Sequence, residues 1–132
     1  MGAWGVRNFE NDDALDWVMA LVEAEDIGRV SEALIPLLAN AGNYHEAPDC
    51  ATGLAAAEVV AALNGHPHAD MPEEVKEWTG RRLGAVAIAL LSNARQAVAA
   101  VAADSELKEL WEETDDYQAW QEHVADLLRR LA

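Results

Sequence analysis

Apolar residues along this chain recur every three to four positions between short polar breaks, the pattern of amphipathic helices. Asn11 is a good helix N-cap, and Asp12 and Asp13 fall in the first turn, where the helix dipole favours anions. Leu15, Val18, Met19 and Val22, widened by Trp17 and Leu21, form one stripe and predict a helix over residues 12–25, stopped by Gly28. A second helix follows Ser31, carries Leu34, Ile35, Leu37 and Leu38, and ends near Gly42; Pro36 inside it predicts a first-turn position or a kink. Asn43 to Asp49 reads as a loop. Pro48 and Asp49 open the third helix, with Asp49 as its N-cap, and Gly65 closes it after Asn64.

Gly65 to His68 is a turn, and Pro72 leads into a short helix over Glu73 to Trp78. The richest apolar run, Leu83 to Leu91, suits a buried helix and belongs to an alanine-rich stretch over residues 81–103, broken at Gly80 or Gly84. Ser105 caps a segment carrying Leu107, Leu110 and Trp111. Asp115 or Asp116 opens the last helix, whose stripe is Tyr117, Trp120, Val124, Leu127, Leu128 and Leu131, with Arg129 and Arg130 suited to its C-terminal end. No stretch alternates with period two, and no repeat is visible. The expectation is an all-α protein, a compact single-domain bundle of five to six helices over residues 1–132.

The start adds one element to this picture. Trp4, Phe9 and Trp17 flank the small polar cluster Asn11-Asp12-Asp13. Large apolar side chains need burial, so the N-terminal segment is expected to dock on the body of the bundle.

Two charges interrupt otherwise apolar helices. Glu58 is the only formally charged residue between Asp49 and Asp70, on a helix apolar nearly all round. Such a helix is central, and a carboxylate on it must be satisfied by partners or neutralised. Arg95 is the only charged residue between Arg82 and Asp104. The two are expected to meet as a buried ion pair, directly or through backbone groups of the N-terminal segment.

Candidate chemistry is sparse. His45, Glu46, Asp49 and Cys50 surround Pro48, and His66 and His68 flank Pro67, but no spacing fixes three or four ligands on one ion. No metal and no cofactor is expected. Asp12, Asp13 and Asp16 lack the spacing of a calcium loop and read as capping and solvated residues, and Cys50 as a small buried one. No nucleophile–base pair or glycine-rich phosphate loop occurs.

The chain has 132 residues and a net charge of −15, with 11 acidic and 2 basic residues in 1–65 and 13 and 7 in 66–132. An acidic surface argues against nucleic acid and against anionic membranes, and permits a basic protein partner. The start has no secretion-signal pattern, no apolar run reaches a membrane span, and the one cysteine fits a reducing compartment, so a cytoplasmic protein is expected. Glu106, Glu109, Glu112, Glu113, Asp115 and Asp116 form an acidic ridge beside Trp111, and Glu109, Trp111, Glu112, Glu113, Asp115 and Asp116 are the candidate partner surface.

Several motifs resemble a bacterial family, domain of unknown function 4259. They are Gly2-Ala3-Trp4-Gly5, Asn11-Asp12-Asp13-Ala14, Asp16-Trp17, Glu46-Ala47-Pro48-Asp49, Ala57 to Leu63, and Ser105-Glu106-Leu107 leading to Leu110-Trp111. One departure is Arg7-Asn8, where the family pattern has a glycine before the phenylalanine. The resemblance implies no activity. The leading functional expectation is a small acidic protein-binding module, of the immunity or inhibitor type, for a basic protein. The alternative is an enzyme, such as a metal-dependent hydrolase, with a pocket near Glu58, Glu46, Asp49 and the docked N-terminus. A third is a homo-oligomer joined through Trp111 or Trp78.

Overall fold

The computed structural model describes residues 5, 7–24, 26–39 and 44–132; Trp4, one of the apolar residues expected to dock, lies outside them. Among these residues the chain is all-helical, with α1 (Asp12–Ala24), α2 (Gly28–Ala39), α3 (Ala47–Leu63), α4 (Glu73–Gly80), α5 (Ile88–Ala103), α6 (Glu106–Glu112) and α7 (Tyr117–Leu131). Seven helices stand where five to six were expected: each segment read from the sequence, the short α4 and α6 included, forms a separate helix.

Helix α3 is the axis of the fold. It is buried from Gly53 to Leu63, and it touches all six other helices. Its small residues let neighbours come close: a Cβ placed on Gly53 would run into the buried Leu37 side chain of α2. The amphipathic helices pack around it with one face each. On α1 that face is Ala14, Val18 and Leu21, and on α7 it is Trp120, Val124, Leu127 and Leu131. Met19, expected in the α1 stripe, points outward at 67% exposure, because Ala14 rather than Leu15 centres the buried face.

The helix ends follow local chemistry. Asn11 caps α1, its Oδ1 accepting the Ala14 amide at 2.8 Å. Gly28 opens α2 instead of closing α1. The Asp26 carboxylate accepts the Gly28 amide at 2.9 Å, so the helix starts at Gly28, ahead of the start that a Ser31 cap would give. Pro36 is tolerated within α2. Gly65 ends α3 at φ 88°, with the Gly65 amide on the Ala62 carbonyl and the His66 amide on the Ala61 carbonyl, the paired bonds of a Schellman stop.

The largest departure is at residues 81–87. The expected long helix starts only at Ile88. Gly84 takes a φ of 84° and donates its amide to the Leu63 carbonyl at 2.8 Å, so this turn satisfies an orphan group at the end of α3. The apolar run Leu83 to Leu91 is thereby only partly buried, with Val86, Leu90 and Leu91 packed against the core. Leu83 is 66% and Ile88 86% exposed.

Candidate functional site

Glu58 is buried, but its partner is Arg130 rather than Arg95. The Arg130 guanidinium holds the carboxylate bidentately, Nη1 to Oε1 at 2.7 Å and Nη2 to Oε2 at 3.1 Å. Asn8 donates its side-chain amide to Oε2 at 2.8 Å. Arg130 also donates through Nε to Asp126, one turn earlier on α7, at 2.8 Å. Its backbone carbonyl meets His66 Nδ1 at 3.2 Å. Burial opposes the charge on Arg130, but Glu58 and then Asp126 outweigh it and hold the guanidinium above its ordinary range. Burial likewise pushes the Asp126 carboxyl up, and Arg130 and Arg129 more than reverse it, leaving it below the usual carboxylate value. Arg95 is half-buried on α5 and forms no ion pair among the described residues. α3 and α5 do pack together, yet Glu58 faces the N-terminal turn and α7.

This network docks the described part of the N-terminal segment. Asn8 and Phe9 are 6% and 8% exposed, and Asn11 reaches back to the Asn8 carbonyl at 3.4 Å. Both Glu58 oxygens are taken, so the carboxylate is engaged in holding structure. A cleft of about 100 Å³ does touch it, bounded by Asn8, Glu10, His68, Asp70 and His123.

The larger cavity lies on the other side of Asn8. It measures about 210 Å³ and is lined, among the described residues, by Gly5, Arg7, Asn8, Asn11, Asp13, Ala47, Pro48, Ala51, Leu54, Leu107, Leu110, Trp111 and Trp120. Its floor is apolar, from α3, α6 and α7. Its polar side comes from the N-terminal turn and the start of α1.

Residues from the starts of α1, α3 and α6 line this cavity, and Asp13 and Arg7 are the charged residues of its described lining. Asp12 and Asp13 occupy the first turn of α1, Asp49 that of α3, and Glu106 and Glu109 that of α6. Anions are stabilised at such positions by the exposed amides and the helix dipole. Asp49 is not the N-cap of α3; the helix begins two residues earlier, at Ala47, and Asp49 is exposed within the first turn. The unpaired Ala47 amide is satisfied from outside, by the Glu106 carboxylate at 2.7 Å. Glu106 in turn donates its own amide to the His45 carbonyl at 2.9 Å. α6 is itself capped by Ser105, whose Oγ accepts the Lys108 amide at 3.1 Å and donates to the Val101 carbonyl at 2.9 Å. These bonds lock α3 and α6 together as the cavity wall.

The acidic ridge is divided in role. Trp111 is 7% exposed and faces inward onto the cavity with Leu107 and Leu110. Glu109, Glu112, Glu113, Asp115 and Asp116 are exposed on the outer side. Glu109 accepts the Tyr44 hydroxyl at 2.7 Å and, with burial, pushes that phenol up to about 12. Glu112 pairs with Lys108 at 2.8 Å. Trp111 is therefore part of the cavity wall and does not protrude from the ridge, and Trp78 is fully buried.

Among the described residues no three His, Cys, Asp or Glu side chains gather as metal ligands; His45 and Cys50 are buried, whereas Glu46 and Asp49 face outward. No helix there is long and apolar enough to cross a membrane. The sequence did not single out Asn8 and Arg130 as the partners of Glu58, nor the α6 and α7 wall of the cavity, although a pocket beside the docked N-terminus and the Glu46–Asp49 stretch was the expectation of the alternative reading. The spacing Asp126-x-x-x-Arg130 on the edge of the α7 stripe was the available signal for Arg130.

No curated protein and no solved structure matches the chain. The family described as "Domain of unknown function (DUF4259)" matches residues 2–123, nearly the whole chain. The protein therefore belongs to that family.

Proposed function

We propose that this protein is a docking module that receives an apolar side chain of a basic partner protein. The observation that carries the reading is the cavity of about 210 Å³, apolar on its α3, α6 and α7 side, in a protein whose net charge is −15. An apolar pocket accepts a desolvated anchor, and a protein field of one sign selects a partner of the other and speeds its encounter. The net charge of −15 extends that field over the molecule. An immunity- or inhibitor-type pairing with a basic toxin or nuclease is the form of partnership this charge pattern suits best. The engagement of both Glu58 oxygens by Asn8 and Arg130 favours binding over acid–base catalysis at that carboxylate.

The test is capture from the source organism's lysate with tagged protein, washed at low and at high salt. A basic protein retained at low salt and released at high salt is the expected result. Retention that salt does not change would overturn the electrostatic part of the reading.

A further inference from the structure

Asn8 borders the larger cavity at only 6% exposure, and half of its side-chain amide has no use in the fold. Its Nδ2 donates to Glu58 Oε2 at 2.8 Å. Chemistry fixes that end of the amide, since a carboxylate paired with a guanidinium can only accept. Among the described residues nothing donates to Asn8 Oδ1. The one sealed side-chain polar atom there that lacks a partner is Trp78 Nε1, so Asn8 Oδ1 opens onto a cavity. Asn8 lies between the two cavities, and Glu58 borders the smaller one. The bond from Nδ2 therefore turns Oδ1 away from Glu58 and toward the larger cavity.

The rest of the polar lining indicates what that oxygen receives. Asn11 is committed at both ends, its Oδ1 to the Ala14 amide and its Nδ2 to the Asn8 carbonyl. Arg7 pairs with Asp70 at 3.3 Å, so its charge is matched. Asp13 is exposed and forms no ion pair among the described residues. The uncommitted side-chain acceptors of the described lining are thus Asn8 Oδ1 and the Asp13 carboxylate, beside an apolar floor that includes Leu54, Leu107 and Trp111. A neutral donor would satisfy the amide oxygen, but only a cation answers the carboxylate as well. Apolar floor and aromatic wall suit the stem that carries such a cation. We infer that the cavity selects a terminal ammonium on an aliphatic stem, the side chain of a partner's lysine, with Asn8 and Asp13 as its binding residues. Glu58 acts through Asn8 as a positioning residue, keeping the amide with its acceptor toward the cavity, and Arg130 holds Glu58 in place. The inference rests on the docking reading above and narrows its anchor to a lysine, whose stem is the apolar part.

The probe is n-butylammonium, the lysine side chain without its backbone. The full chain is titrated with it at constant ionic strength, against 1-butanol and butyrate, and the Trp111 indole and Asn8 side-chain amide are followed by NMR. Saturating shifts at both groups are expected in the millimolar range, with the two other probes weaker by about tenfold or more. Asp13→Asn and Asn8→Leu are each expected to weaken butylammonium by about tenfold, and Asp13→Asn to leave 1-butanol unchanged. Glu58→Gln sets a donor against Asn8 and turns its amide round. The preference for butylammonium over butyrate should then vanish, whereas a merely structural role would lower all three probes together. Asp13 is exposed, so its variant keeps the test decisive where a change at Asn8 or Glu58 unfolds the chain. A wild type that binds 1-butanol as well as butylammonium, or shows no saturable shift with any probe, would overturn the inference. So would an ammonium preference undiminished in Asp13→Asn. Failure of the docking reading is separable. Butylammonium bound as expected, with no basic protein captured from lysate, keeps the ammonium site and removes the protein partner. A basic protein held by the wild type and lost by Leu110→Trp, with no ammonium preference, keeps the docking site and removes the lysine.

Discussion

Replacing Arg130 by methionine removes the charge that faces Glu58 while keeping most of the apolar stem. The Glu58 side chain is only 3% exposed, so its carboxylate would be left with the Asn8 amide as its one remaining partner. Stripping one member from a buried ion pair costs about 3–5 kcal/mol, because the other charge stays desolvated and uncompensated. The Arg130 side chain keeps 15% exposure, and Asn8 still donates, so the lower end of that range, about 3 kcal/mol, is expected. For a domain of this size that corresponds to a fall in Tm of roughly 10–15 °C. Differential scanning calorimetry and urea titration would measure it, with Arg95→Met as the control. Arg95 has no ion-pair partner among the described residues, and its removal is expected to cost less than about 1 kcal/mol. The double variant Glu58→Leu with Arg130→Met should recover a large part of the loss, since an apolar pair removes the desolvation penalty. If Arg130→Met were no worse than Arg95→Met, the bidentate pair would not be what holds Glu58.

Three further outcomes follow from local geometry. Ser105→Ala removes the cap of α6 and a buried hydroxyl bonded to Val101, so a loss of about 1–2 kcal/mol is expected by urea denaturation. Gly65→Ala forces a side chain into the left-handed region at the α3 stop and should cost about 1 kcal/mol by the same assay. Burial pushes the Cys50 thiol up to about 11, so alkylation at pH 8 should be slow in the folded protein and rapid in urea. Because that folded value lies above the unfolded one, the contribution of Cys50 to stability is present below about pH 8.5 and is lost as pH rises toward 11.

Periodicity made the helical class readable, and single residues made several ends readable. Asn11 and Gly65 declare their helices because a cap and a left-handed stop need only neighbouring residues. The central position of α3 was readable as well, since a helix apolar on every side has no solvent face to offer. The partner of Glu58 was not. It lies 72 positions away, and Arg130 at the end of α7 has an adequate local explanation in the helix dipole. Leu83 to Leu91 misled for the opposite reason. Its composition asks for burial, but with Gly84 bonded to the end of α3 the turn leaves Leu83 and Ile88 outside while Val86, Leu90 and Leu91 pack against the core. Trp111 was read on the correct helix but on the outer face, because spacing alone does not tell which side of a short helix meets the core. The cavity lies beside the docked N-terminal turn and the start of α3, in the region where a pocket was expected, but its α6 and α7 wall has no sequence signature because it comes from separate helices.

The docking claim is tested most directly by repeating the lysate capture with wild type and Leu110→Trp side by side at low salt. Leu110 lines the cavity and is only half-buried, so tryptophan there obstructs the mouth while leaving the acidic ridge unchanged. The account predicts that a basic protein held by the wild type is absent from the variant. The same protein held equally by both would contradict it, because acidic charge alone would then suffice and the cavity would play no part.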